Sequence, residues 1–174
     1  MEKQNDIYFY GSKGHYGYMS NFYKCSFKAT IDVPENNPYY NVEIEFNSSE
    51  QYFVFCKCIM FDPDNINLLN NIVNEITPSV IMSYGRRIEH FDEILWNMKK
   101  VQIMTEAIEL KFTQNQKLKD KLIKTFPRRI YQASPNDKIW GIGYSIRNAP
   151  YIDRHRYGCN YLGIILEEVR GYFL

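Results

Sequence analysis

The sequence predicts a mainly α, α+β domain: a helical bundle with a small antiparallel sheet built from its N-terminal strands. Two observations carry this. Ahead of residue 48 the apolar residues fall in short alternating runs separated by Gly, Pro and Asn, the pattern of strands and turns. Beyond it they recur every three or four positions, the period of helices that bury one face. At 174 residues with 45% hydrophobic content, the chain can bury a core of its own. No repeat, low-complexity tract or linker interrupts it, so one domain over residues 1–174 is expected, with residues 1–6 a flexible N-terminal stretch.

Ile7–Tyr10 reads as a short strand ending at Gly11. The loop after it carries Gly14 and Gly17, and glycines at this spacing can let backbone N–H groups approach a phosphate. The spacing fits neither a P-loop nor a dinucleotide fingerprint, and on its own the loop is a turn. Cys25–Val33 and Val42–Phe46 alternate as two further strands around the turn-rich Pro34–Pro38, and the first strand is expected to join their sheet.

Ser48 followed three positions later by Gln51 is a capping box, so a helix starts here and should run to about Phe61, ahead of Pro63. Glu50 lies in its first turn, where the exposed N–H groups favour a carboxylate. Lys57 returns to the same face two turns later, roughly 10 Å along the axis. The pair can bracket a ligand, with Tyr52, Phe53 and Phe55 as apolar walls, or can simply be two solvated charges.

Asn65 can cap a helix to about Ile76, with Ile66, Leu69, Ile72 and Val73 inward. Thr77-Pro78 opens a short helix that Gly85 ends. The longest periodic run spans Phe91–Phe112, and its stripe of Ile94, Leu95, Met98, Val101, Met104, Ile108 and Phe112 is expected in the core. A helix from Asn115 buries Leu118, Leu122 and Ile123 and leaves Lys117, Lys119, Lys121 and Lys124 solvated. Arg129–Ala133 suits a strand, Ser134–Gly143 a turn, and the last helix begins near Asn160 with Leu162, Ile165, Leu166 and Val169 inward.

Composition excludes several classes. A net charge of +1 is wrong for a surface wholly devoted to nucleic acid, though a local patch is compatible with it. No stretch is apolar enough to span a membrane, and the opening residues do not resemble a signal peptide. Cys25, Cys56, Cys58 and Cys159 lack zinc spacing, which points to reduced thiols in a cytoplasmic compartment. His15, His90 and His155 are scattered. Neither a metal site nor a cofactor is expected, and chelators should not affect turnover.

Taken one at a time, Asn21, Glu50, Lys57, Arg86, Lys100, Asp137 and Asn160 each have a structural explanation as turn, cap or solvated residues. Their order is more telling. Phe9-Tyr10-Gly11, Ser20-Asn21-Phe22, the Ser-x-Glu-x-Tyr-Phe-x-x-x-Lys run from Ser48 to Lys57, Gly85-Arg86, Trp96-x-x-x-Lys100-x-x-x-Met104 and Lys111-Phe112 together resemble the NADAR (YbiA-like) family. The blocks around Ser134-Pro135-x-Asp137-x-x-Trp140-Gly141-Ile142-Gly143 and Gly158-x-Asn160-x-Leu162-Gly163 extend the resemblance to Arg170.

The resemblance implies an N-glycosidase that separates a base or amine from a phosphate-bearing ribose. Phosphoribosyl-aminopyrimidine intermediates of riboflavin synthesis and ADP-ribosylated guanine are such substrates, the latter free or in nucleic acid. By the same resemblance Glu50, Lys57 and Asp137 would be catalytic. Gly11, Asn21, Phe22, Arg86, Lys100, Trp140, Gly141 and Asn160 would bind substrate. Glu50, Lys57, Asp137 and Asn160 are then expected to face one cavity. The chain departs from the family pattern at Gln51 and Val54, where the family has His and Gln; if these touch substrate, its identity or the rate changes.

Breaking a ribosyl C–N bond builds positive charge at C1′, which a carboxylate stabilises. A neutral lysine can form a Schiff base with an opened ribose, and aromatic surroundings favour that neutral form. Two alternatives stand beside this: a carboxylate-activated water with Lys57 holding phosphate, and a non-catalytic module that binds ADP-ribose.

Overall fold

The computed structural model describes residues 5–174. In chain order its elements are β1 (Ile7–Phe9), β2 (Phe27–Thr30), β3 (Glu43–Phe46), α1 (Ser49–Phe61), α2 (Ile66–Asn74), α3 (Pro78–Tyr84), α4 (Glu93–Gln114), α5 (Gln116–Ile123), β4 (Ile130–Gln132) and α6 (Tyr161–Gly171), with short 3-10 turns at 17–19, 149–151 and 154–156. The fold is α-dominated with little sheet, as the sequence predicts. Two compact units divide it: residues 24–115, and residues 1–23 together with 116–174.

In the 24–115 unit, α1 is the hub on which α2, α3 and α4 pack. Ser48 caps it, its Oγ accepting from Gln51 N at 3.1 Å. The Gln51 side chain does more than complete a capping box. Its Oε1 accepts from Asn47 N at 2.6 Å, and its Nε2 donates to Ile72, Val73 and Glu75 carbonyls at 2.9–3.0 Å. One buried amide thus caps the start of α1 and satisfies the orphan carbonyls at the end of α2. Asn65 and Asp92 cap α2 and α4 through Leu68 N and Leu95 N.

The antiparallel β2–β3 pair sets Phe27 opposite Phe46, and both rings lie against Tyr52. Gln114, at the end of α4, clamps β2 by bonding both the N–H and the C=O of Lys28.

One expectation needs correction here. The apolar stripe of α4 is core only in its second half: Met104, Ile108 and Phe112 are buried, but Ile94 and Met98 are 77% and 73% exposed because Trp96 is the one buried residue of the first two turns. Lys111, one turn beyond Ile108 on the buried face, is fully buried instead.

In the other unit, β1 does not join β2 and β3. It pairs in parallel with β4, Ile7 opposite Ile130, a pairing across more than 120 residues that no local pattern encodes. Helix α6 packs on β4 with Leu162, Ile165, Leu166 and Val169 buried, and α5 packs on α6. Arg170 is buried beneath, donating to Thr125 Oγ1 and Arg128 O. Of the stretch expected to be flexible, residues 1–4 lie outside the described residues. Asn5 accepts through its carbonyl from Arg128, and the Asp6 carboxylate meets Arg154.

Candidate active site

The sequence-chosen residues fall in both units, and each group has its own geometry. Lys57 projects from the third turn of α1. Its Nζ donates to the Gly85 carbonyl at 3.1 Å and lies 4.3 Å from the Phe91 ring centroid and 5.5 Å from that of Trp96. Phe53 packs tilted against Trp96 at 4.8 Å, and Phe61 supports Phe91 and Trp96 edge-on. The half-buried amine therefore sits in an aromatic corner.

The expected walls are only partly right. Phe53 belongs to them, but Tyr52 and Phe55 face the sheet: Phe55 packs on Phe46 and Tyr39, and the Tyr52 hydroxyl bonds Glu106 at 3.2 Å. Phe91 and Trp96, the main walls, flank and begin another helix, so α1 alone gives no sign of them.

Burial pulls the Lys57 ammonium below its ordinary pKa, while the Glu50 carboxylate on the same helix pulls the other way. Glu50 is itself buried in the first turn. Gly85, whose carbonyl holds Lys57, ends α3; an added Cβ there would lie 3.5 Å from Val54. Val54 thus packs under the Lys57 support, and Gln51 is consumed by the backbone bonds described above. Arg86 is exposed beside Gly85, and Lys100 donates to Asn97 Oδ1 at 2.6 Å one turn beyond Trp96.

In the other unit, Asp137, Trp140, Gly141 and Asn160 meet at the start of α6. Asp137 Oδ1 accepts from Ile139 N at 2.8 Å and Trp140 N at 2.9 Å, closing a tight turn. The turn's carbonyls then cap α6: Ile139 O accepts from Tyr161 N, Trp140 O from Leu162 N and Gly141 O from Asn160 N.

Because the helix start is satisfied in this way, Asn160 does not cap it by side chain. Asn160 adopts φ +53°, accepts from Gln132 N at 3.0 Å and donates to Ile130 O at 2.9 Å, tying β4 to α6. Gly163 leaves room for that amide; an added Cβ would run into it and into Ile130 O. Trp140 is half-buried, its ring edge-on to Tyr161 at 6.1 Å. Gly11 has φ +67°, and Phe22 N donates to Ser20 Oγ beside half-buried Asn21.

Among the described residues no three His, Cys, Asp or Glu side chains gather as metal ligands, and no helix is long and apolar enough to cross a membrane.

The ordered blocks that frame these residues agree with a family model. The model of the NADAR domain matches residues 8–173. The chain belongs to the NADAR family. It is 32% identical to "N-glycosidase R617" of Acanthamoeba polyphaga mimivirus over 98% of this chain and 97% of that protein. It is 29% identical to the chloroplastic riboflavin biosynthesis protein PYRR of Zea mays over 98% of this chain but 25% of that protein. The NMR structure of the E. coli protein YbiA superposes with a TM-score of 0.73 at 26% identity, covering 99% of this chain and 87% of YbiA. The NADAR match spans both units.

Proposed function

We propose that this NADAR-family hydrolase of N-glycosyl bonds cleaves the C–N bond between a base or amine and a phosphate-bearing ribose, with Lys57 as nucleophile. Its N-glycosidase relative supports the bond type, and the riboflavin-synthesis relative supports a phosphoribosyl-aminopyrimidine as one substrate class. ADP-ribosylated guanine, free or in nucleic acid, is the other. Four free thiols suit a reducing, cytoplasmic setting.

The observation that carries the mechanism is the Lys57 amine, half-buried against Phe91 and Trp96, anchored on a carbonyl and shifted toward its neutral form. In the ring-opened glycosylamine, C1′ is an imine carbon. The Lys57 amine adds there, the base or amine leaves with a proton from an acid, and a Lys57 imine remains. Water hydrolyses it, which frees the sugar aldehyde and restores the amine. The net change is one C–N bond broken by one water. Glu50, on the same helix, is the first acid/base, and Asp137 is the second. Arg86 and Lys100 bind phosphate, and Trp140 stacks on the base.

A second reading has an observation in its favour. An ammonium over two aromatic rings is itself stabilised, which suits a cationic Lys57 that holds phosphate while a carboxylate activates water.

Borohydride added during turnover on either substrate class separates the two. Expected are a stable sugar adduct on Lys57 by mass spectrometry and loss of ribose-phosphate release in Lys57→Arg, whose guanidinium stays protonated. Activity retained in Lys57→Arg with no adduct would assign the chemistry to activated water. No release from any substrate, with ADP-ribose still bound, would make the domain a binding module.

A further inference from the structure

The basic residues in and just after α5 are not evenly spread. Lys121, Lys124 and Arg128 converge with His15, Tyr16 and Tyr18 of the glycine-containing loop on a cleft of about 280 Å³. None of the residues assigned above to catalysis or substrate binding lines it. The cleft lies wholly within the unit of residues 1–23 and 116–174, where Lys and Arg number thirteen against seven Asp and Glu.

The cleft is built rather than incidental. Arg128 donates to the Tyr16 hydroxyl at 2.8 Å and to the Asn5 and Asp6 carbonyls, so its guanidinium is fixed at the cleft wall. The Tyr18 hydroxyl donates to Lys121 O at 3.2 Å, tying the loop to α5. The cations lie near ring faces, Lys121 at 5.6 Å from Tyr18 and Arg128 at 5.7 Å from Tyr16, and His15 stands edge-on to Tyr16 at 4.6 Å.

No ion pair among the described residues involves Lys121, Lys124 or Arg128. The neighbouring carboxylate, Asp120, takes a hydrogen bond from Gln116. Three like charges drawn to one hollow with no ion-pair partner among the described residues repel one another, and a bound anion removes that cost.

We propose that this cleft holds the phosphodiester of a single-stranded nucleic acid, with Lys121 and Lys124 as phosphate contacts and the exposed His15 and half-buried Tyr16 as a surface for a base. Positive charge beside aromatic rings is the combination by which proteins track single strands. At about 280 Å³ the cleft falls just below the roughly 300–1,000 Å³ of small-ligand sites, a size for one nucleotide of a longer strand. The inference does not depend on which bond the enzyme cleaves.

Fluorescence anisotropy of a labelled dodecamer of thymidylate with the intact protein tests it. Expected is saturable binding that weakens about sevenfold between 50 and 200 mM salt, as two phosphate contacts on a single strand imply. Lys121→Glu/Lys124→Glu should lose at least tenfold in affinity while hydrolysing a free phosphoribosyl substrate at the wild-type rate. Lys121→Gln/Lys124→Gln, which adds no repulsion, should show a smaller loss in the same direction. A strand of equal length with abasic sites should bind more weakly.

Absent binding at 50 mM salt, or binding unchanged in both double variants, would overturn the proposal. So would displacement by inorganic phosphate or a mononucleotide at matched phosphate concentration, since the site would then serve a free phosphate. A duplex that binds as tightly as the strand would remove the role given to the rings.

Discussion

The unit of residues 24–115 carries thirteen Asp and Glu against eight Lys and Arg, whereas the unit of residues 1–23 and 116–174 carries seven against thirteen. The near-neutral whole conceals two oppositely charged halves. They also spend their polar groups differently. In the acidic unit a single buried amide, Gln51, settles the backbone at two helix ends, and Lys57 on the same helix reaches the aromatic corner. In the basic unit Asp137, Asn160 and Glu167 all bond backbone N–H groups. The contrast teaches that a polar residue in a family motif can be there to hold the chain in place, and that the chemistry is best sought where scaffolding has been delegated to a neighbour.

Paired substitutions give the largest test of that contrast. Glu50→Gln should lower kcat about 10³-fold, within the range of acid–base contributions. Asp137→Asn keeps a side-chain oxygen for the two turn N–H groups, so its loss should be within about tenfold if its main work is the turn. Steady-state kinetics on both variants decide this. An Asp137→Asn loss equal to that of Glu50→Gln, at unchanged Tm, would give Asp137 as large an acid/base share as Glu50 and break the comparison.

Gly163→Ala drives a Cβ into Ile130 O and the Asn160 amide, and should cost about 3 kcal/mol as overpacking against backbone. Gly171→Ala, with nothing near its Cβ, is the control and should be neutral or stabilising by up to about 1 kcal/mol. In the acidic unit Gln51→Leu strips the N–H of Asn47 and the carbonyls of Ile72, Val73 and Glu75 of their partner, at about 2 kcal/mol. Urea titrations of the three variants rank these costs. A silent Gln51→Leu would show that another group or water takes over the two helix ends.

What the sequence discloses divides along physical lines. Helix positions, the Ser48 and Asn65 caps and the apolar face of α6 were legible because periodicity and capping are local. The partner of β1 was not, since strands of three residues carry no register signal across 120 positions. Lys57 was found by its place on α1, but Phe91 and Trp96 reach it from beyond α3 and could not be read from its own helix. Nor does a turn signal reveal that the carbonyls at 139–141 cap α6 and release Asn160 to bind β4. Lys111 did leave a trace: Met104, Ile108 and Lys111 follow the i, i+4, i+7 spacing of one face. Read strictly, that spacing puts its charge among the core residues.

Lys111 supplies the smallest and most pH-specific test, since the acidic unit buries this cation completely. Burial pulls its pKa from 10.5 down to about 8, with the nearby Cys25 working in the opposite direction. Between those two values the folded protein holds fewer protons than the unfolded chain, so stability rises with pH. Below about 8 both states are charged, and the full cost of the buried ammonium is present. From pH 8 to pH 9 the gain should be about 1 kcal/mol. Other groups titrate in this range, so the quantity to measure is the difference between wild type and Lys111→Met in urea unfolding at pH 6, 7, 8 and 9. Expected is a wild-type gain relative to the variant as pH rises, with little change between pH 6 and 7. A flat difference would mean that Lys111 keeps its proton in the fold across this range.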